Sequence, residues 1–451
     1  MKVLMLGWEF PPFISGGLGT ACFGLTRALD RLGVEVLFVL PRAVASDAAT
    51  HVQILSPASV AARGLSVSQS AGVGGMFAHT QFRAVPANLT PYARPVADAS
   101  DDFSTAAPIP GGRLAPGAPQ RRRPTTTTPQ AAATPPGPGD PYGGDLFAEV
   151  RRYADVGGAL AGAEDFDIIH AHDWMTYPAG IAAKQQSGKP LVIHVHSTEF
   201  DRSGLNVNQP IYDLERAGMH AATRVIAVSH LTRNLILQHY GVCTDKVEVV
   251  YNAIDDNGGA NLPPIPPITR EEKIVLFLGR ITLQKGPEYF LAAAKRVLEV
   301  MDNVRFVMAG SGDMTRRMIE LAAEMGIGHK VLFTGFLRGD DVRRVFRMAD
   351  LYVMPSVSEP FGLTPLEALS NDVPVLISKQ SGVAEVLTHA LKVDFWDVDE
   401  MANKIVAVLR HPPLHATLRD HGSIEVRRFS WADAAANCLK VYQAALGSGA
   451  G

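Results

Sequence analysis

The sequence predicts an α/β protein with two domains, each built on a parallel β-sheet, and three observations lead to that prediction. The chain has 451 residues, which is more than one hydrophobic core usually serves. Short apolar runs alternate with amphipathic stretches of helical period, which is the pattern of repeated βαβ units. Residues 253–269 contain an Asn-Gly-Gly sequence and four prolines, which is the composition of a linker.

The predicted strands fall on both sides of this linker. Before it they are residues 3–7, 34–40, 167–170, 191–195, 225–228 and 247–250. After it they are residues 274–278, 304–308, 331–333, 351–354 and 375–377. We therefore expect a first domain over residues 1–260, a second over 261–428, and an amphipathic helix over 429–451 that ends the chain.

One stretch of the first domain lacks the alternating pattern. Residues 86–144 are rich in Pro, Ala, Thr and Gly, and we predict a disordered insert there. It includes Arg121-Arg122-Arg123, for which the alternative is contact with an anionic polymer or lipid.

Composition and charge exclude several classes of protein. The net charge of −3 gives no support for a nucleic-acid partner, which would need a basic surface. There is no apolar run of about 20 residues, so we expect no transmembrane segment, while contact with a membrane surface stays open. The apolar start of the chain ends at Glu9 and is too short for a signal peptide. Cys22, Cys243 and Cys438 lack metal-ligand spacing, so we expect buried thiols and a cytoplasmic protein.

Two cations follow the first strand of the second domain. Arg280 and Lys285 lie in the sequence Gly-Arg-Ile-Thr-Leu-Gln-Lys-Gly, directly after the strand 274–278. Fixed cations on a strand-end loop can neutralise a diphosphate, and the alternative is a surface ion pair.

Two carboxylates flank a turn later in the same domain. Glu359 and Glu367 enclose Pro-Phe-Gly, with a predicted strand before the turn and a helix after it. The backbone N–H groups of Phe361, Gly362 and Leu363 would face an anion at the helix start, and the carboxylates could accept from hydroxyls. A sugar nucleotide needs such a mixture of partners, although Glu359 could instead cap the helix.

Together, G-R-x4-K-G and the later E-P-F-G-L-x3-E resemble the retaining glycosyltransferases of the GT-B fold, in family 4 and the related glycogen and starch synthases. The resemblance implies two Rossmann-like domains facing across a cleft, with the last helix crossing back to the first domain. It implies that Arg280 and Lys285 neutralise the leaving diphosphate. It also implies that Glu359 contacts donor-sugar hydroxyls near the reaction centre and that Glu367 accepts from the ribose.

In the first domain the resemblance points to Gly16 and Gly17, at a helix start, as contacts for the diphosphate and acceptor. A plain turn is the alternative. Bacterial glycogen synthases have a Lys two positions before this glycine pair, whereas this chain has Ile14 and Ser15 before it. In the second domain it assigns the loop containing Gly310 and Gly312 to the nucleotide pocket.

Four histidines and Asp173 lie at the ends of two predicted strands of the first domain and invite a metal site. The resemblance implies instead that His196 donates to a donor-sugar hydroxyl, that Asp173 lies near the acceptor, and that no catalytic metal or other cofactor is needed. His170 and His194 are then structural.

The expected function is transfer of a hexose from a nucleotide sugar to an α-glucan, with retention of configuration. We expect the hexose to be glucose and the donor to be UDP- or ADP-glucose. The alternative is a family 4 hexosyltransferase that builds cell-envelope polysaccharide or exopolysaccharide and uses another saccharide acceptor. A nucleotide-sugar epimerase and a non-catalytic sugar-nucleotide binder are two further alternatives.

Overall fold

The structure, a computed structural model, describes residues 1–11, 16–40, 78–84, 146–254 and 272–447. The described residues form two parallel β-sheets flanked by helices, which confirms the predicted α/β fold class. The predicted insert and linker fall almost wholly on residues 85–145 and 255–271, which lie outside the described part of the chain.

The first sheet has seven strands in the order β3-β2-β1-β4-β5-β6-β7, and every neighbouring pair is parallel. The strands are β1 (Lys2–Leu6), β2 (Glu35–Leu40), β3 (Thr80–Ala84), β4 (Ile168–His172), β5 (Leu191–Val195), β6 (Arg224–Ala227) and β7 (Val247–Val249). The helices of this half are α1 (Gly17–Arg31), α2 (Leu146–Ala163), α3 (Tyr177–Ser187), α4 (Glu199–Ser203), α5 (Gln209–Ala221) and α6 (His230–Leu235).

The second sheet has six strands in the order β10-β9-β8-β11-β12-β13, again all parallel. The strands are β8 (Lys273–Leu278), β9 (Val304–Ala309), β10 (Val331–Gly335), β11 (Leu351–Met354), β12 (Val375–Ser378) and β13 (Leu391–Val393). The helices that follow are α7 (Pro287–Leu298), α8 (Thr315–Glu324), α9 (Asp340–Met348), α10 (Leu363–Ser370), α11 (Val398–Arg410), α12 (Pro412–Glu425) and α13 (Trp431–Gly447).

Burial on both faces explains why the central strands read as continuous apolar runs. Val3, Leu4, Met5 and Leu6 of β1, for example, are all fully buried. In each sheet the strand order reverses at the middle, between β1 and β4 and between β8 and β11. Ligands of such sheets bind outside the carboxyl ends of the strands at that reversal, so the loops after β1, β4, β8 and β11 are the first place to look for a site.

Two strands were missed by the sequence analysis, and both are short edge strands. β13 has only three residues, too few to show a pattern. β3 lies within a long stretch of weak periodicity, and the chain just before it is held by Asp30. That carboxylate accepts from the backbone N–H groups of Ala78 and His79, at 2.7 and 2.6 Å.

The last helix packs on the first sheet. A Cβ built on Gly24 of α1 would lie 2.1 Å from Trp431 of α13, so only glycine allows this close approach. The hydroxyl of Tyr442 lies 2.6 Å from Nδ1 of His170 on β4. The helix therefore follows the second domain in sequence but joins the core of the first.

Cys22 and Cys438 are buried, as predicted for the cysteines. The prediction was wrong for Cys243, which lies in the turn before β7 and is exposed. Among the helices of the described residues, none is both long enough and apolar enough to cross a lipid bilayer.

Candidate functional site

Lys285 and Glu359 form the centre of the candidate site. Nζ of Lys285 lies 2.5 Å from Oε2 of Glu359, and the two side chains are only 20% and 9% exposed. The pair joins the loop after β8 to the loop after β11, the two strands at which the second sheet reverses. Its burial distinguishes it from a surface ion pair, which would contribute little to stability or function.

The backbone holds Glu359 in place from both sides. Its N–H donates to the carbonyl of Gln380 at 2.9 Å, and its carbonyl accepts from the N–H of Gly382 at 2.9 Å. The hydroxyl of Ser356 also donates to its carboxylate at 3.2 Å. The cap position of α10 is Gly362, so the carboxylate of Glu359 serves Lys285 and Ser356 rather than the helix end.

A close backbone approach positions Lys285. The next residue, Gly286, has φ +64°, and a Cβ there would lie 2.1 Å from the carbonyl oxygen of Pro355. Only glycine fits both the conformation and the space. Lys285 is therefore held directly beside the end of β11.

Arg280 lies half-buried in the same loop, between Gly279 and Ile281. Both of these residues are in close backbone contact with the loop after β9. A Cβ on Gly310 would lie 1.8 Å from the carbonyl oxygen of Gly279, and one on Gly312 would lie 2.1 Å from that of Ile281. Gly310 and Gly312 are thus needed for the path of the Arg280 loop, a reason that the sequence pattern alone did not supply.

The start of α10 carries the remaining residues predicted in this domain. Gly362 has φ +103°, which allows the sharp entry into the helix. The ring of Phe361 is 2% exposed and packs into the core, while Leu363 is half-buried. Glu367 lies one turn into the helix, and burial raises the pKa of its carboxyl.

Glu9 occupies the N-terminus of α1, where Gly16 and Gly17 were predicted to meet an anion. Its carboxylate accepts from the N–H of Gly16 at 3.0 Å and of Gly19 at 3.1 Å. Glu9 is 4% exposed, so this cap is internal. An anionic ligand at this helix end would have to bind beside the carboxylate, whose negative charge already balances part of the helix dipole.

Four histidines stack at the carboxyl ends of β4 and β5. Nδ1 of His172 lies 2.9 Å from Nε2 of His196, and Nε2 of His170 lies 3.2 Å from Nδ1 of His194. Burial lowers the pKa of all four imidazoles, that of His172 to about 3. They are therefore neutral at physiological pH, and His196 is the half-buried member.

Asp173 fixes the backbone of His196. It has φ +61°, a conformation unusual for a residue with a side chain. Its Oδ1 accepts from the N–H of His196 at 2.8 Å. Burial raises the pKa of Asp173 to about 7.

The two halves of the site meet at contacts that the sequence did not indicate. The hydroxyl of Ser358, next to Glu359, donates to Oδ1 of Asp201 at 2.6 Å. Asp201 caps α4, which lies against the turn that contains Lys285. Gly17 also faces Leu363, since a Cβ on the glycine would lie 3.7 Å from Cδ1 of the leucine.

A second junction lies at the start of α6. The carboxylate of Glu385 accepts from the N–H groups of His230 and Leu231, at 2.9 and 2.6 Å. The helix start of one domain is thus capped by a carboxylate of the other.

The buried histidines predict an acid-sensitive fold. Unfolded histidines take up protons near pH 6.5, whereas His172 in the fold resists protonation down to about pH 3, so its contribution to stability is lost as the pH falls through that window. Each such histidine adds a slope of up to about 1.4 kcal/mol per pH unit to the free energy of unfolding. Asp173 acts oppositely, because its pKa is raised from 3.8 to about 7 and its contribution is lost as the pH rises.

Denaturant unfolding from about pH 5 to 7 measures this slope. We expect His194→Gln to make it shallower, because the amide cannot be protonated. The matched control is His411→Gln, whose ring is exposed, and it should leave the slope as in the wild type. Equal slopes for His194→Gln and the wild type would contradict the assignment of acid sensitivity to the cluster.

Three family models match successive parts of the chain. The starch synthase catalytic domain model matches residues 2–103, the glycosyltransferase family 4 model matches 113–257, and the glycosyl transferases group 1 model matches 260–423.

An uncharacterised glycosyltransferase of Methanocaldococcus jannaschii is 27% identical over 99% of each chain. Among solved structures, sucrose-phosphate synthase from Thermosynechococcus elongatus has a TM-score of 0.68 at 19% identity, covering 99% of each chain. HepE of Anabaena, in complex with UDP and glucose, has a TM-score of 0.65 at 16% identity, covering 98% of this chain and all of the other. At these identities the two structures show a shared fold.

Proposed function

We propose that this chain, which belongs to the GT-B glycosyltransferases related to family 4 and the starch synthases, moves glucose from UDP- or ADP-glucose to an α-glucan with retention of configuration. The observation that carries the proposal is the half-buried Lys285–Glu359 pair at the strand ends of the second domain. The complex of HepE with UDP and glucose supports a uridine nucleotide as the donor.

The chemistry that we assign to these residues follows the charge that develops during transfer. As the bond between sugar and diphosphate breaks, negative charge grows on the leaving phosphate, and fixed cations at that point lower the barrier. We assign this role to Arg280 and Lys285. The N–H groups at the start of α10 would add to it, because the positive end of the helix dipole lies there.

Glu359 has two tasks in this proposal. It orients Lys285 through the ion pair, and its remaining carboxylate oxygen accepts from hydroxyls of the donor sugar. Glu367 would accept from the ribose in the same way, and Gly310 and Gly312 would shape the nucleotide pocket through the Arg280 loop.

The first domain supplies the acceptor side. His196 of the same domain is neutral, so its ring can donate to a hydroxyl of the donor sugar without carrying a charge. Asp173 keeps the backbone of His196 in position, and Gly17 faces Leu363 across the cleft. We propose that the reaction needs no metal or other cofactor, since the cations of the second domain serve the diphosphate.

A second candidate is transfer to a different acceptor, as in synthesis of an envelope polysaccharide. Two observations favour keeping it. Ile14 and Ser15 depart from the bacterial glycogen-synthase pattern, and one structural neighbour is a sucrose-phosphate synthase rather than a glucan synthase.

A donor screen tests both candidates. We expect release of UDP or ADP from the glucose donor to rise when glycogen is added, to persist in EDTA, and to lengthen the glucan with an α-linkage detectable by proton NMR. If glycogen does not stimulate release of UDP or ADP, the result would favour the second candidate. No turnover with any donor despite nucleotide binding would overturn the enzymatic proposal, and a requirement for added Mg²⁺ would overturn its metal-free form.

A further inference from the structure

Cys22 of α1 lies beside the histidine cluster. One ligand atom each of Cys22, His172 and His196 lie within 4.8 Å of one another. A thiolate with two imidazoles is a donor set that suits Zn²⁺, and three protein ligands with one open position are typical of accessible zinc sites.

Unpaired ring nitrogens are the second observation. Nε2 of His172, Nε2 of His194 and Nδ1 of His196 are buried and have no hydrogen-bond partner within the described ranges of the chain. A buried polar atom without a partner costs free energy, and a bound ion is one of the ordinary explanations of such an atom. Two of them belong to His172 and His196, the residues grouped with Cys22, and they point to a ligand that these two imidazoles share.

Geometry favours this trio over the other group of three, which consists of His170, His172 and His194. His170 already uses both ring nitrogens, one with Tyr442 at 2.6 Å and one with His194 at 3.2 Å. His196, by contrast, is half-buried at the cleft, so an ion can reach it from solvent.

We propose that Cys22, His172 and His196 bind Zn²⁺, and that the bound ion inhibits the enzyme. The thiol loses its proton to solvent and forms a sulfur–zinc bond, and each imidazole donates one lone pair. One proton is shared between the two rings in the metal-free protein, at an N–N distance of 2.9 Å. Both rings cannot offer a lone pair while that bond persists, so metal binding breaks it and changes the orientation of His196.

The inhibition rests on the proposed function, because it requires that His196 contacts the donor sugar. The binding of the metal does not rest on that function. The site would make the rate of transfer fall as free Zn²⁺ rises. The affinity of the three ligands for Zn²⁺ sets the concentration at which this happens. It differs from a catalytic metal site because the diphosphate is served by Arg280 and Lys285.

Co²⁺ in place of Zn²⁺ provides a readout independent of activity, because a cobalt–thiolate bond has a charge-transfer band. We expect the full chain to show this band at one equivalent of Co²⁺ and Cys22→Ser to lose it. Cys243→Ser and Cys438→Ser, an exposed and a buried thiol, are the matched controls and should keep it. No band in the wild type, or its survival in Cys22→Ser, would overturn the proposal.

His172→Gln keeps the thiol and decides the question if Cys22→Ser does not fold. We expect Co²⁺ affinity to fall more than about tenfold in this variant, because loss of even a residue that only supports a ligand typically costs about 10- to 100-fold in metal affinity. Unchanged affinity would reject His172 as a ligand and with it the site. Zn²⁺ should also inhibit nucleotide release in the wild type, reversibly with EDTA. A cobalt band without any transferase turnover would support the metal site and contradict the proposed function.

Discussion

Lys285→Ala is expected to lower kcat for hexose transfer by roughly several hundredfold, the loss typical when one transition-state contact is removed. The ammonium group lies 2.5 Å from Glu359 and the side chain is only 20% exposed, so it is a fixed positive charge. Water that enters the space in the alanine variant cannot supply that charge. Glu359→Gln should have an effect of the same order, because it keeps the shape of the side chain while leaving the cation without its partner. Initial rates of nucleoside diphosphate release measure both.

Lys379→Ala is the matched control for this prediction. Lys379 pairs with Asp394 at 2.8 Å in the same domain, but the two side chains are 54% and 29% exposed. Loss of such a surface pair costs little, and the rate should stay within about twofold of the wild type. Thermal unfolding should show that all variants are folded. Nearly normal rates for both Lys285→Ala and Glu359→Gln would reject this site assignment.

The sequence predicted the fold class and the loops of the second domain because both depend on local patterns. Buried parallel strands are continuous apolar runs, and each candidate loop follows such a run directly. Lys285 and Glu359 could therefore be placed at neighbouring strand ends before their contact was known. Their separation of 2.5 Å could not be predicted, since it depends on the close approach of Gly286 to Pro355.

Residues whose partners are distant in sequence were missed. Ser358 and Asp201 lie in different domains, and no local pattern connects a serine after a strand with a capping aspartate. Glu9 was interpreted only as the end of an apolar run, although an acidic residue before a glycine-rich helix start is a signal for a cap. Cys22 was interpreted only as a buried thiol, because its neighbours come from β4 and β5.

Gly310→Ala is expected to destabilise the second domain by about 3 kcal/mol or more, the combined cost of overpacking and of a strained backbone. Gly310 has φ +143°, and an added Cβ would lie 1.8 Å from the carbonyl oxygen of Gly279. Neither backbone can move freely, because the N–H of Gly279 donates to Ala309 at 3.0 Å and that of Gly310 donates to Gly335 at 2.8 Å. The loop that carries Arg280 should therefore shift, and the KM for the donor should rise along with the loss of stability.

Gly326→Ala separates the steric effect from the conformational one. Gly326 also has positive φ, at +73°, but no atom lies within 4 Å of a Cβ placed there. Its replacement should cost only the backbone strain, about 1 kcal/mol, and should leave the donor KM unchanged. Denaturant unfolding and donor kinetics on the two variants test this difference. Equal losses of stability would mean that backbone conformation alone makes Gly310 necessary. An unchanged KM in Gly310→Ala would mean that the position of Arg280 does not depend on the contact between the two loops.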